Sequence, residues 1–338
     1  MKVNVVNGFS DHPIGGNPAG VVYLSKEPYP DKQSALSEDT DSGRIHLSVD
    51  QMQKIAAKLH FSETAFIRRL SDRKFSIRYF TPAAEVPLCG HATIASFAYL
   101  YQTGVLDDGV YELVTEEAEL PVEVSEGIIW MEMDHPKLEQ QLDEKNVERI
   151  CRAYGFTSNV LDDALEVRIV KSGLRDIHMC VKSRESLLRA VQDENEIRKI
   201  SEELGVVGVH MSCLNLQNNN ENNTEHKIIR VDSGAIPEQK IREPIGRDAE
   251  KITAYCSNFA PLYEIPEECA TGTSNGGLTW YLYQKGLIQE NQMNCFLQGE
   301  HMNRPSKIYT KVKTEHGNPT VWVGGSGVIC EQDRIIKI

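Results

Sequence analysis

Apolar positions along the chain recur with strand and helix periods in alternation, and no apolar run approaches the roughly 20 residues of a membrane helix. Val3-Asn4-Val5-Val6 reads as a strand leading to the glycine-rich turn Gly15-Gly16-Asn17-Pro18-Ala19-Gly20, with a second strand at Val21-Val22-Tyr23-Leu24. Residues 25–46, rich in Pro, Asp and Ser, read as a polar surface insertion. Ser48 and Gln51 then form a capping box for a helix whose Met52, Ile55, Ala56 and Leu59 share one face. Phe75, Ile77 and Tyr79 alternate with Ser76 and Arg78, the pattern of a half-buried strand. From Ala92 to Leu100 the chain is apolar nearly all round. That is a buried helix, closed by Gly104, and it needs a sheet curled about it.

Further on, strands are expected at 111–114, 121–124 and 128–133, followed by a polar hinge near Asp134-His135-Pro136. Helices are expected within 143–154 and 184–204, and strands at 166–171, 177–181, 206–215 and 228–232. The Asn-rich tract 217–227 reads as a flexible loop, and 234–250 as another insertion. The last part, from Ser306 on, reads as strands with a turn at Gly324-Gly325.

One stretch is written twice. Phe80, Pro82, Glu85, Val86 and Pro87 are answered by Phe259, Pro261, Glu264, Ile265 and Pro266. Cys89 is matched by Cys269 one residue later in register, and Tyr99-Leu100-Tyr101-Gln102 by Tyr281-Leu282-Tyr283-Gln284 two residues further. Duplication at this separation implies two similar lobes related by a pseudo-two-fold axis, with matching cysteines facing each other across the seam.

At 338 residues the chain is long enough for two lobes, each with its own core. A net charge of −13 and the lack of any Lys/Arg cluster argue against nucleic acid or an anionic membrane as partner. Eight scattered cysteines without a CxxC pair give neither a zinc site nor a disulfide framework, and the start MKVNVVNGF lacks the regions of a signal peptide, so a cytoplasmic location is expected.

Each copy of the repeat sets a thiol and glycine-rich backbone before a helix: Cys89-Gly90-His91, and Cys269-Ala270-Thr271-Gly272-Thr273-Ser274. Helix N-termini offer unpaired N–H groups and partial positive charge, so two aimed at one cleft hold a carboxylate. The same field lowers a thiol pKa, and mirror-placed thiols suit a cofactor-free racemase. Paired cysteines are also what core packing produces. Glu63, flanked by Phe61, Ala65 and Phe66, is a desolvated acid–base group if it points inward and an ordinary solvated acid if it points out. His91 suits an anion donor or a group that orients a neighbouring acid, although a histidine so placed is more often a helix-capping or satisfied core residue. Glu267 and Glu268 are cleft acids or surface acids. Nucleotide motifs fail: no Lys-Ser or Lys-Thr follows the glycines at 272–277, and Gly15 to Gly20 does not fit G-x-G-x-x-G.

In Gly16-Asn17-Pro18-Ala19, Ser62-Glu63-Thr64-Ala65-Phe66, Leu88-Cys89-Gly90-His91-Ala92-Thr93, Phe259-Ala260-Pro261, Ala270-Thr271-Gly272, Gln298-Gly299, Arg304-Pro305-Ser306 and Gly324-Gly325, taken in this order, the chain resembles the PhzF-like isomerases of the phenazine-biosynthesis type. These are relatives of diaminopimelate epimerase. The resemblance implies an α+β fold of two pseudo-symmetric lobes, each a curved, mostly antiparallel sheet wrapped round a central helix. It divides the chain into 1–125, joined by the last strand at about 328–338, and 126–327. It further implies a homodimer and catalysis without metal or organic cofactor on a small carboxylate-bearing substrate. Glu63 is then the general acid–base, with His91 and Glu268 beside it. Gly90, Ala92, Gly272, Thr273 and Asn17 become substrate-binding positions. Glu268, Thr273 and Cys269 stand where the family usually has Asp, Ser, and Pro or Val. Cys269 with Cys89 keeps a two-cysteine racemase of an amino-acid-like substrate in play as the rival. A non-catalytic ligand-binding protein on the same fold is the third reading.

Overall fold

The computed structural model describes residues 1–25, 45–133, 135–215, 251–315 and 317–337. The insertions expected at 217–227 and 234–250, the strand at 228–232 and nearly all of 25–46 lie outside them.

The first half runs β1 (Lys2–Gly8), β2 (Asn17–Tyr23), α1 (Val49–Leu59), β3 (Glu63–Ser71), β4 (Lys74–Phe80), β5 (Glu85–Val86), α2 (Gly90–Gln102), β6 (Gly109–Val114), β7 (Glu119–Ser125) and β8 (Ile128–Glu132). The second runs β9 (Lys137–Gln141), α3 (Glu144–Ala153), β10 (Arg168–Ser172), β11 (Leu174–Cys180), α4 (Arg184–Leu188), α5 (Glu194–Leu204), β12 (Val209–Leu214), β13 (Ile252–Ala260), β14 (Ile265–Glu268), α6 (Gly272–Gln284), β15 (Asn294–Gln298), β16 (Ser306–Glu315) and β17 (Asn318–Gly325). The chain then returns to the first half as β18 (Gly327–Ile335), antiparallel to β1.

Strand pairing carries the duplication more faithfully than the sequence does. In order across the first half, β18, β1, β2, β3, β4, β6, β7 and β8 pair antiparallel except for the parallel contacts β2/β3 and β4/β6. In the second half β9, β10, β11, β12, β13, β15, β16 and β17 repeat that sequence of senses, with β11/β12 and β13/β15 parallel. An antiparallel β8/β17 contact joins the halves. Each half-sheet wraps one helix: α2 packs on β1, β2, β3, β8 and β18, and α6 on β9, β10, β11, β16 and β17. That explains why α2 is buried all round, with His91 through Ala98, Leu100 and Gln102 inside. One continuous apolar core surrounds both helices. Smaller cores lie on the sheets' outer faces, under α1 and under α3 to α5.

Helix α1 forms as its sequence dictates: Ser48 and Gln51 close a capping box, and Met52, Ile55, Ala56 and Leu59 are its buried face. Residues 184–204 make two helices, because Asp193 caps the Glu196 N–H and starts a second one. Gly324-Gly325 is the end of β17 and not a turn. A Cβ on Gly324 would stand 2.5 Å from the Trp130 ring and one on Gly325 would stand 2.4 Å from Phe9, so these glycines admit aromatic rings. The glycine-rich turn is likewise shorter than expected, since β2 already begins at Asn17.

Candidate active site

Strand parity aims Glu63. Along β3, Ala65 and Ile67 join the core around α2 while Phe66 joins the one under α1, so Glu63 shares the helix side. Its side chain is 19% exposed, and Oε2 lies 3.3 Å from His91 Nε2 in the first turn of α2. Ser62 Oγ is also 3.3 Å from that nitrogen, and Cys89 Sγ lies 3.4 Å from Nδ1 on the ring's other side. The Glu63–His91 contact is not an aligned hydrogen bond: Glu63 Oε2 is buried without a partner, an acceptor left open in the site. Burial lowers the His91 pKa, opposed by the Glu63 charge, so the ring is neutral near pH 7.

The second half supplies Glu268 at the end of β14. Its Oε2 accepts from Thr271 Oγ1 at 2.5 Å, and its Oε1 lies 3.4 Å from Asn17 Nδ2 at the start of β2, across the seam. Desolvation pushes the Glu268 carboxyl up to about 7; the Thr271 hydroxyl opposes this, and the charges of Glu63 and Asp176 add to it. Glu267, by contrast, turns to His301 at 3.0 Å. Asp176, in β11, is 5% exposed, accepts from Ser274 Oγ at 2.6 Å and is raised by burial to about 6. Sequence reading missed it, although an acid heading the uniformly buried Ile177-His178-Met179-Cys180 was a signal.

Both helix starts have the expected construction. Helices α2 and α6 are each 13 residues long, and neither N-cap side chain bonds the first-turn N–H groups. Gly90, Ala92, Gly272 and Thr273 all lie in those first turns, and the space where Gly90 would carry a Cβ is open. The cysteines differ from expectation. Counting from the helix starts, Gly90 matches Gly272, so the N-cap Cys89 is matched by the N-cap Thr271, and Cys269 falls two residues earlier. Its thiol is buried and donates to the Gly16 carbonyl at 3.3 Å, in a turn that Gly16 permits with φ +76°. Nor does the helix field lower either thiol pKa. Burial and the Glu63 charge hold Cys89 well above its ordinary value, and burial pushes Cys269 up to about 11.

Among the described residues, Glu63, Cys89 and His91 are the one group whose donor atoms lie close enough, within 4.8 Å, for a shared metal ion. Cys89 and Glu63 address different ring nitrogens, however, and a single ion takes only one of these. The His91 ring is instead hydrogen-bonded between Cys89 and Ser62, with the Glu63 carboxyl beside it. An open depression of about 390 Å³ between Arg73, Tyr111 and Leu120 lies by the β6–β7 hairpin and is lined by none of these groups. No helix among the described residues is long and apolar enough to cross a membrane.

The family model described as phenazine biosynthesis-like protein matches residues 6–333. An uncharacterized isomerase of Bacillus subtilis is 26% identical over 98% of this chain and 96% of its own. Of solved structures, a PhzF-family phenazine biosynthesis protein of Bacillus anthracis superposes with a TM-score of 0.75 at 20% identity, covering 100% and 99% of the two chains. A predicted epimerase of Pseudomonas aeruginosa superposes with a TM-score of 0.67 at 20% identity, with the same coverage. Residues from Val6 to Asp333, with the duplicated strand order and the paired helix starts inside them, therefore place this chain in the phenazine biosynthesis-like PhzC-PhzF family, several of whose relatives are named as uncharacterized isomerases.

Proposed function

We propose that the protein is a cofactor-independent isomerase that moves a proton between positions of a small carboxylate-bearing substrate, with Glu63 and Glu268 as its acid–base pair. The observation that carries this reading is the placement of two carboxyls from opposite halves within electrostatic reach of each other, one of them raised to about 7. A carboxylic acid that titrates there is matched to donating and recovering a proton near neutrality. Glu63, with a buried oxygen lacking a hydrogen bond, takes the proton from carbon. His91 flanks Glu63, its Nε2 3.3 Å from the Glu63 Oε2. The substrate carboxylate lies between the first turns of α2 and α6, where Gly90, Ala92, Gly272 and Thr273 present N–H groups and Asn17 flanks Glu268.

The positions of the cysteines favour this pair over a two-thiol mechanism. Cys269 is committed to the Gly16 carbonyl and lies off the helix start, and both thiols are protonated at neutral pH. The test is incorporation of solvent deuterium into a panel of small unsaturated and amino-substituted carboxylic acids. For any acid that exchanges with the wild type, Glu63→Gln abolishes exchange, whereas Cys269→Ser leaves the rate within a few-fold. Loss of exchange in Cys89→Ser and Cys269→Ser together, with Glu63→Gln active, would sink the proposal in favour of thiol chemistry.

A further inference from the structure

Behind Glu268 lies a hydrogen-bond network whose polarity is set by the backbone. Gln298, the last residue of β15, is fully buried, and its amide makes four hydrogen bonds. Oε1 accepts from the Thr271 N–H at 3.2 Å and from Asn275 Nδ2 at 2.7 Å. Nε2 donates to the Glu268 carbonyl at 2.7 Å and to Thr271 Oγ1 at 3.0 Å. A backbone N–H only donates and a backbone carbonyl only accepts, so the first and third of these bonds allow one orientation of the amide. Asn275 is fixed in the same manner, because its Nδ2 also donates to the Thr271 carbonyl at 2.8 Å.

That orientation determines the next link. Thr271 Oγ1 receives a hydrogen from Gln298, so its own hydrogen is free for Glu268 Oε2. An oxygen that accepts so short a bond is the poorer place for the acid's proton. Oε1 faces only the longer Asn17 contact at 3.4 Å. We propose that Gln298 and Thr271 are positioning residues which confine the exchangeable proton of Glu268 to Oε1, the oxygen on the Asn17 side. This rests on the reading of Glu268 as an acid–base group, and it adds the direction in which that group delivers its proton. The network has no equivalent at α2, whose N-cap is Cys89. Burial alone would leave both oxygens of the acid available; the relay selects one.

The decisive experiment is neutron diffraction from deuterated crystals of the full chain at a pD well below 7. A deuteron on Glu268 Oε1 and a Thr271 O–D directed at Oε2 are expected. A deuteron on Oε2 overturns the proposal. In solution, ¹³C-glutamate NMR of the same protein, with the Glu268 signal assigned by Glu268→Gln, gives its titration midpoint. Thr271→Val removes the donor to the ionised form and raises the midpoint by about one pH unit, while Thr271→Ser restores it. Gln298→Met frees the Thr271 hydroxyl and also raises the midpoint. A merely structural role for these residues predicts lower thermal stability with the midpoint unmoved, which would likewise refute the assignment. If the deuteron lies on Oε1 but Glu268→Gln leaves deuterium incorporation into the acid panel unchanged, the positioning stands and the catalytic reading of Glu268 falls.

Discussion

Glu268→Gln should make the protein more stable at alkaline pH relative to wild type, and the size of the effect follows from its surroundings. Its carboxyl moves from an ordinary value of 4.5 to about 7 in the folded chain, chiefly through burial. At about 1.4 kcal/mol per pH unit this corresponds to about 3 kcal/mol. Because the folded pKa is raised, the native state binds more protons than the unfolded state between these values, so stability falls as pH rises through that window and levels off above it. Glutamine cannot ionise, yet its carbonyl still accepts from Thr271, so the variant loses the slope while keeping the bond. Urea denaturation of both proteins from pH 5 to pH 8 should therefore show the variant gaining about 2–3 kcal/mol on the wild type across the range. Asp176→Asn serves as the control, since that group is raised only to about 6 and its loss of stability is complete at lower pH. Stability curves for Glu268→Gln and wild type that stay parallel within about 0.5 kcal/mol would mean that Glu268 titrates as an ordinary carboxyl. The argument for a neutral acid at pH 7 would then fail.

Two further predictions concern the frame. Gly324→Ala places a Cβ 2.5–2.9 Å from three atoms of the Trp130 ring, itself only 3% exposed, and should cost about 1–3 kcal/mol in urea denaturation; an unchanged midpoint would show that the ring moves freely. Ser48→Ala removes the capping box of α1 and should cost about 1 kcal/mol, with Ser48→Asp recovering most of it by the same measurement.

Local features of this fold were legible because local physics decides them. The capping box at Ser48 and Gln51, the apolar face of α1 and the all-round burial of α2 follow from spacing alone; the direction of Glu63 does not, because both faces of β3 carry a core and only the folded sheet shows which one lies round α2. What the sequence conceals depends on distant chain. Cys269 reads as the partner of Cys89 because alignment follows the strands, but a helix begins where its backbone allows, and five residues between Pro266 and α6, against two between Pro87 and α2, move the N-cap to Thr271. The thiol pKa values run opposite to the helix-field expectation because desolvation and nearby carboxyls outweigh half a unit of helix charge, and neither term is visible in one segment. Asp176 and Gln298 matter only through partners 98 and 27 residues away, Ser274 and Thr271.

The strand registers explain why a symmetric frame carries one-sided chemistry. Thr64 pairs with Phe80 and Gly20, and Val209 pairs with Phe259 and Ile177. Since Phe80 and Phe259 are mates in the repeat, Thr64 answers Val209 and Gly20 answers Ile177. One step back, Glu63 answers Gly208, and its neighbour Ala19 answers Asp176. Each half thus has one acid at this level, on β3 in the first and on β11 in the second. The exchange is enforced by space: a Cβ on Gly208 would stand 1.8 Å from the Phe259 carbonyl oxygen, so no side chain can occupy the place that mirrors Glu63. The fold's symmetry therefore gives Glu63 no mirror-placed acid, and it does not set Cys89 and Cys269 at equivalent places relative to the helix starts. The duplicated backbone supplies two matched helix starts, while the differences between the copies leave Glu63 on β3 of one half and Glu268 on β14 of the other, the unequal pair on which the proposed acid–base mechanism rests.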